Sequence, residues 1–561
     1  MKKINLFTAF LKKADFVRIG VILVIGALSE PLIAYSYTFL SDFIADRSNG
    51  GSLSGLTGCA VLVLIALLMA AANYIYKGYI ANEANTKLKK KLFFSILNKP
   101  VPEFQKKDSG TYMNTVTRRA DIWQYQYFNN ILQCFEQVLE IAAILFLLAR
   151  IHRAAFVTML LFLLPLVVNN IFFPRFIRRH YGDYMKNEDA VTVKMKEFFL
   201  GFESIKLISG ENAFSQRMDS FFDRSQKSRQ WVDFLNNLSA CFANLGVTVS
   251  KFSGVVIGVL LLNRGEISFG NFLTIFQLSA VLNEPVVRLV NATVGLQSVR
   301  KINEELRGEL AFARAPSAGT PEAVESLPAK VENISLENVR FRYANREKPL
   351  FDGLNFTFER GKKYLIVGES GCGKSTLVKL LLGQIPNYEG TVQYGDTDLH
   401  RIKLESLYAR VSYTPQNVFI FDGSVRDNID LLRCRSDEQV KKAAEAAQLS
   451  SFLASREEGL QSVINEEVLK VSGGERSRIG LARALISGRD VLILDEILSA
   501  LDTKNSYEIE KDILGIQDKT VLHIAHRSNP ELLNRYDCIL MLKDGRLVPS
   551  SPVPERAKAA N

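Results

Sequence analysis

The sequence predicts two unlike parts. The first is an all-α membrane domain of six helices with long cytoplasmic helix extensions. The second is an α/β domain built on a parallel sheet around a phosphate-binding loop. Three observations predict this. Six long apolar segments fall in the first half of the 561-residue chain. The composition changes near Ala313, where residues 314–321 (Arg-Ala-Pro-Ser-Ala-Gly-Thr-Pro) read as a linker. From Val331 onward strand and helix signals alternate, and among them stands Gly368-Glu369-Ser370-Gly371-Cys372-Gly373-Lys374-Ser375. The implied boundaries are 1–312 for the membrane domain, 313–330 for the linker, 331–552 for the α/β domain and 553–561 for a tail.

The apolar segments cover about 16–43, 56–79, 131–148, 155–173, 238–262 and 269–290. Each approaches or exceeds the roughly 20 residues that cross a bilayer core. The connections alternate in character. Residues 77–119, with the run Lys87-Leu88-Lys89-Lys90-Lys91, and residues 175–229 are long and basic, whereas those near 46–54, 150–153 and 264–268 are short. Positive residues remain on the cytoplasmic side, so the N-terminus, both long loops and everything after the sixth span are expected in the cytoplasm. Arg150 and Arg153 are a small exception on the outer side. Helical apolar spacing continues through 94–99 and 188–218. The spans should therefore run on as helices below the membrane, about 30 Å for every twenty residues.

The net charge of +10 clusters beside these apolar segments, which points to a multi-pass protein of the cell membrane rather than to nucleic acid. The six cysteines are scattered without a CxxC pair, so neither a disulfide framework nor a zinc site is expected. The N-terminus lacks the short apolar core and cleavage site of a secretory signal.

The glycine-rich stretch fits G-x-x-x-x-G-K-[ST] and has the context that pattern requires: an apolar strand at 363–367 before it and a helix from Thr376 after it. Its glycines let successive backbone N–H groups turn inward as an anion nest, and the helix N-terminus adds positive potential. Lys374 is placed to reach the β- and γ-phosphates, and the Ser375 hydroxyl to bind Mg²⁺. A second apolar strand, Val491-Leu492-Ile493-Leu494, ends in Asp495-Glu496. Asp495 there can support Mg²⁺, and Glu496 can orient or deprotonate an attacking water. Ser472-Gly473-Gly474, opening a helix pattern, makes a second anion-binding helix terminus.

Two phosphate-seeking helix ends in one chain resemble the ATP-binding cassette (ABC) family, in which the second is the signature motif. The resemblance covers nearly the whole chain. It implies a Q-loop at Gln416, touching Mg²⁺ and the coupling helices, a D-loop ending in Asp502, a switch histidine at His526, and an adenine-stacking aromatic at Tyr343. It extends the ATP-contacting set from Gly368 through Thr376. Six spans and one cassette resemble a half-transporter of the type I exporter fold, with coupling helices near 102–110 and 201–217. One cassette cannot close its own site, so a dimer is implied, with Ser472, Gly473 and Gly474 of one copy capping ATP held by the other.

Some features depart from the family pattern. The signature reads Val471-Ser-Gly-Gly-Glu475 in place of Leu-Ser-Gly-Gly-Gln, and Asn465-Glu466-Glu467-Val468 replaces the usual G-E-x-G. The C-terminus also lacks the usual ending. These changes spare the phosphate-touching groups and favour a homodimer, with a heterodimer of two half-transporters as the alternative. Cys372, inside the phosphate loop, is either a thiol that sensitises the ATPase to alkylation or a tolerated small side chain.

Glu30, Glu136, Glu140 and Lys251 lie within the apolar segments. Such groups are costly in a bilayer unless paired or wet. They are expected to face a central cavity that takes cationic or amphipathic, peptide-like cargo, or else Lys251 pairs with one of the acids as structural glue. The expected function is ATP-driven export of a small amphipathic molecule, peptide or lipid. An importer of the same fold, an ATP-gated channel or regulatory subunit, and a soluble ABC protein acting on ribosomes or DNA are the other classes. The six spans argue against the last and Glu496 against a dead regulator. No protease segment precedes the spans, so leader-peptide cleavage is not expected.

Overall fold

The structure is a computed structural model that describes residues 13–46, 54–314, 325–328, 330–343, 346–465, 471–498, 503–525 and 528–550. It divides into two compact units, one formed by the chain up to Phe94 with Ser109–Ala311, the other by Ser95–Asp108 with the chain from Phe312.

Among the described residues the first unit is built of helices. Its longer helices are α1 (Lys13–Asp46), α2 (Ser54–Leu97), α3 (Ser109–Ile151, with π turns at Thr115–Arg119 and Gln124–Phe128), α4 (Arg153–Leu200), α5 (Glu211–Asn263), α6 (Phe269–Val281), α7 (Asn283–Ser298) and α8 (Arg300–Leu310), and a short helix, Phe202–Leu207, joins α4 to α5. Among the described residues, α1, α2, α3, α5 and the α6–α7 stretch are long and apolar enough to cross a membrane, and α4 contributes the apolar run Arg153–Phe162. The expected extensions exist: α2 continues to Leu97, α4 to Leu200, and α5 begins at Glu211. At 53 residues α5 is about 80 Å long. The sixth apolar segment was expected as one helix but breaks at Leu282. Pro285 has no N–H to give Val281, and its ring crowds that carbonyl.

Two apolar clusters hold this unit. Trp123 and Phe128 of α3 are fully buried with Leu88 and Leu92 of α2 and Leu306 of α8. Ile144 and Leu148 meet Met159, Ile275 and Leu278 in the other. Within a bilayer, where lipid is as apolar as these side chains, such a cluster holds by close packing rather than by release of water. The antiparallel pair α4 and α5 adds polar rungs below the apolar part. Ser225 Oγ donates to Glu188 Oε2 at 2.6 Å, Asn187 Nδ2 donates to Ser228 Oγ at 2.5 Å, and His180 stacks on Trp231.

Among the described residues the second unit contains three sheets, the smallest pairing β7 (Gly423–Ser424) with β8 (Val463–Ile464). The central one has the order β12-β11-β3-β10-β9-β6, formed by β3 (Lys363–Val367), β6 (Val411–Thr414), β9 (Val491–Asp495), β10 (Thr520–Ile524), β11 (Cys538–Lys543) and β12 (Arg546–Pro549). All neighbours are parallel except β11 and β12. β9 and β10 are buried along their whole length, as strands covered on both faces must be. An antiparallel sheet of β1 (Asn333–Phe341), β2 (Phe351–Glu359), β4 (Glu389–Tyr394) and β5 (Thr397–Asp398) shares its core. A short helix, Val101–Phe104, also belongs to this unit. Pro102 and Glu103 line a cavity of about 250 Å³ with Tyr388, His400 and Leu404.

Candidate active site

Strand order assembles the site. β3, β10, β9 and β6 are adjacent and parallel, so the residues leaving their carboxyl ends share one edge. The register pairs Ile366 with Ile524 and Ile524 with Asp495. The glycine loop leaves β3, Asp495-Glu496 close β9, and Gln416 follows β6 by two residues. Ligands of open parallel sheets bind at this edge.

The loop 368–375 has the conformation its glycines were expected to allow. Gly371 and Gly373 have φ of +81° and +111°, values that a side chain makes costly. Gly368 cannot carry a Cβ, which would lie 2.7 Å from Cys372 Sγ and 2.8 Å from Leu542 O. Lys374 begins α9 (Lys374–Leu381), is 6% exposed, and its ammonium donates to Gly368 O at 2.8 Å and Glu369 O at 3.1 Å. Glu369, Ser370 and Ser375 are exposed at the loop's open face, and Thr376 is buried behind it. The Tyr343 hydroxyl lies 3.2 Å from Thr376 Oγ1, and its ring packs edge-on to Phe341. The aromatic thus lies next to the phosphate loop.

Asp495 is 5% exposed, and burial is the main cause holding its carboxyl above the usual range. The Tyr413 hydroxyl donates to its Oδ2 at 3.2 Å, and Lys374 lowers the pKa in opposition. Glu496 has φ +52°, sparsely populated for a non-glycine residue. It is held there by its own N–H, which donates to Ile524 O at 2.9 Å, and by Gln416 Nε2, which donates to its Oε2 at 2.6 Å. The oxygen donors of Ser375, Gln416 and Asp495 are the hard set that suits Mg²⁺, so the residues present fit that ion.

Ser472 is the N-cap of α12 (Gly473–Ile486), where α10 is Val425–Asp430 and α11 is Asp437–Ala446. Its Oγ accepts from Glu475 N at 3.3 Å, while its N–H donates to Glu475 Oε2 at 2.7 Å. This reciprocal capping box gives the altered signature residue a local purpose, which the S-x-x-E spacing already signals. Tyr413 and Arg483 were also missed. Arg483 lies on α12 and binds the turn after Gln416. Neither has a motif; only the fold brings them there. Asp502, His526 and residues 466–470 lie outside the described residues.

The charges in the apolar segments do not act as one set. Glu136 and Glu140 are buried in the bundle, whereas Glu30 and Lys251 are exposed on it. The cation that meets Glu136 is Lys77 of α2, not Lys251, and Asn73 Nδ2 donates to the same carboxylate at 2.5 Å. Gly26 of α1 makes room for this cluster, since a Cβ there would lie 2.1 Å from Asn73 Nδ2.

The family model for the ABC transporter matches residues 351–499, and that for the ABC transporter transmembrane region matches residues 16–286. A lactococcin transport/processing ATP-binding protein LcnC-like of Lactococcus lactis subsp. lactis (strain IL1403) is 30% identical over 69% of this chain and 53% of its own length. The chain thus spans about half the length of such relatives. The ATP-dependent lipid A-core flippase of Escherichia coli (strain K12) is 25% identical over 96% of this chain and 92% of its own. A bacterial Atm1-family ABC exporter solved with ATP bound superposes with a TM-score of 0.81 at 21% identity, covering 96% of this chain and 95% of that one. With both halves matched in order and the exporter fold shared end to end, this chain belongs to the ABC transporter family.

Proposed function

We propose that the chain is a half-transporter that hydrolyses ATP to export an amphipathic small molecule, peptide or lipid, working as a dimer in the cell membrane with its cassette in the cytoplasm. The membrane domain is 1–312 and the cassette 331–552. The observation that carries this is the convergence of Lys374, Gln416, Asp495 and Glu496 at one sheet edge of a chain whose other half is apolar helices.

Tyr343 stacks on adenine, and residues 368–376 cradle the phosphates with Lys374 on the β- and γ-groups. Ser375, Gln416 and Asp495 hold Mg²⁺, which when bound neutralises charge on the phosphate oxygens. Glu496 takes the proton of the attacking water, and His526 steadies the γ-phosphate. Ser472, Gly473, Gly474 and Asp502 of the second copy close the site. ATP holds the two cassettes together and its hydrolysis releases them, which drives alternate opening of the membrane cavity. Relatives named for lactococcin transport and lipid A-core flipping support peptide or lipid cargo. A homodimer is favoured because the altered signature retains its Ser and Gly residues. Glu475 in place of Gln supports a heterodimer as the second reading, and lone-chain ATPase activity separates the two.

The test is Glu496→Gln. The amide preserves the contact with Gln416 but removes the base, so ATP turnover should fall about 10²–10⁴-fold while ATP binding persists. Uptake into inside-out vesicles, assayed against a cargo panel, should stop with it. Turnover that survives the substitution refutes the assignment.

A further inference from the structure

A buried polar cluster lies behind the sheet edge, and the chemistry above does not use it. Glu510 is 1% exposed and sits on α13 (Thr503–Leu514), the helix that follows Asp502 in the chain. Its Oε1 accepts from the Tyr536 hydroxyl at 2.7 Å and from Ser528 Oγ, and its Oε2 accepts from the backbone N–H of Asn529 at 3.2 Å. The Tyr536 oxygen is also 2.6 Å from Nδ1 of His523, a residue of β10 that is 1% exposed. A phenol has one proton. With that proton given to Glu510, the Tyr536 oxygen accepts from His523, which fixes the proton on Nδ1. Nε2 of His523 is then a bare acceptor, buried without a hydrogen-bond partner among the described residues.

A carboxylate is costly to bury, and one that receives three hydrogen bonds is rigidly placed. What this one grips is specific. His523 lies three residues before His526, while Ser528 and Asn529 lie two and three after it. The chain is thus held on both sides of His526: on the strand side through Tyr536 and His523, and on the far side directly. The anchor is a single side chain on α13.

We propose that Glu510, with Tyr536, is a positioning clamp that fixes the chain on both sides of His526, at His523 and at Ser528 and Asn529, and ties both sides to α13. This rests on the reading of His526 as the γ-phosphate partner. Under it, α13 and the residues flanking His526 move as one body when the second cassette docks, and the clamp acts through His526 rather than on the nucleotide. A purely structural role predicts a loss of stability that is indifferent to His526. The clamp predicts a loss of turnover that passes through His526.

The experiment measures steady-state and single-turnover ATPase of the full-length chain in four forms: unaltered, His526→Ala, Glu510→Gln, and both. Misplacing a catalytic group by about 1 Å can cost about 10²-fold, so Glu510→Gln should lower kcat by about 10–100-fold with KM for ATP changed by less than about twofold. In the His526→Ala background the same substitution should change turnover by less than about twofold. Tyr536→Phe removes one hydroxyl and should lower kcat by about 3–10-fold. It carries the test if Glu510→Gln loses its melting transition. An equal loss from Glu510→Gln with and without His526, or no loss of kcat, overturns the clamp. If His526→Ala alone leaves turnover intact, the fault lies in the reading of His526 instead.

Discussion

Replacing Arg483 with Met should loosen the turn beside Gln416, and the size of the effect can be worked from its contacts. Arg483 leaves α12 and donates through Nη1 to Phe419 O at 2.6 Å, through Nη2 to Asn428 Oδ1 at 2.8 Å, and through Nε to Asn428 O. Its guanidinium also lies 5.7 Å from the Phe421 ring centre. Burial lowers its pKa to about 10, so it is still charged at neutral pH. Met fills similar volume but donates nothing. Asn428 is 0% exposed, so its carbonyl loses a donor that water cannot replace. Its Oδ1 keeps the Phe421 N–H at 2.8 Å. One buried orphan costs about 1–3 kcal/mol, and the remaining charge-assisted bonds and the ring contact add about 1–2 more. The release of a buried guanidinium offsets part of this, leaving about 3 kcal/mol. At about 2–4 °C per kcal/mol for a unit of this size, the apparent Tm of the cassette transition should fall by about 6–12 °C. The assay is intrinsic-fluorescence melting of the full chain in detergent, with Arg483→Lys alongside. A lysine keeps the charge but cannot fork to three acceptors, so it should recover less than half of the loss. Melting within about 1 °C of the unaltered chain for both variants would refute the reasoning.

Glu475→Gln keeps an oxygen to cap Ser472 N but removes a negative charge from a helix N-terminus that faces phosphate in the proposed dimer. Such a charge is worth about 0.3–1 kcal/mol, so kcat/KM for ATP should rise about two- to fivefold, read by ATPase titration. Gly26→Ala forces a methyl against Asn73 and Glu136 and should destabilise the detergent-solubilised chain by about 1–3 kcal/mol. Gly20→Ala, on the same helix with nothing within 4 Å, should melt unchanged. His523 is neutral in the fold because burial lowers its pKa below the ordinary 6.5, although Glu510 opposes the shift. The unfolded chain therefore binds the extra proton. The stability His523 permits is complete above about pH 6.5 and is lost as pH falls below it, by at most about 1.4 kcal/mol per unit. His523→Gln should flatten that acid limb in pH-dependent melting.

The sequence by itself determined the elements and the chemistry each one carries. Apolar runs long enough for a bilayer, the break in composition near Ala313 and the strand-loop-helix context of Lys374 are local facts, set by chain periodicity and turn chemistry. Even the break at Leu282 and the Ser472–Glu475 cap are written there, in Pro285 and in the S-x-x-E spacing. Only the tertiary structure decided which charges meet. Lys77 rather than Lys251 reaches Glu136 because the packing of α2 against α3, not distance along the chain, sets the pairing. The grip of Glu510 on Ser528, Asn529 and Tyr536, and through Tyr536 on His523, likewise depends on how α13 lies on the sheet. Hydrogen bonds and ion pairs act over a few ångströms between groups far apart in sequence. A pattern of residue types specifies which partners such groups can take, and only the folded backbone selects the partner.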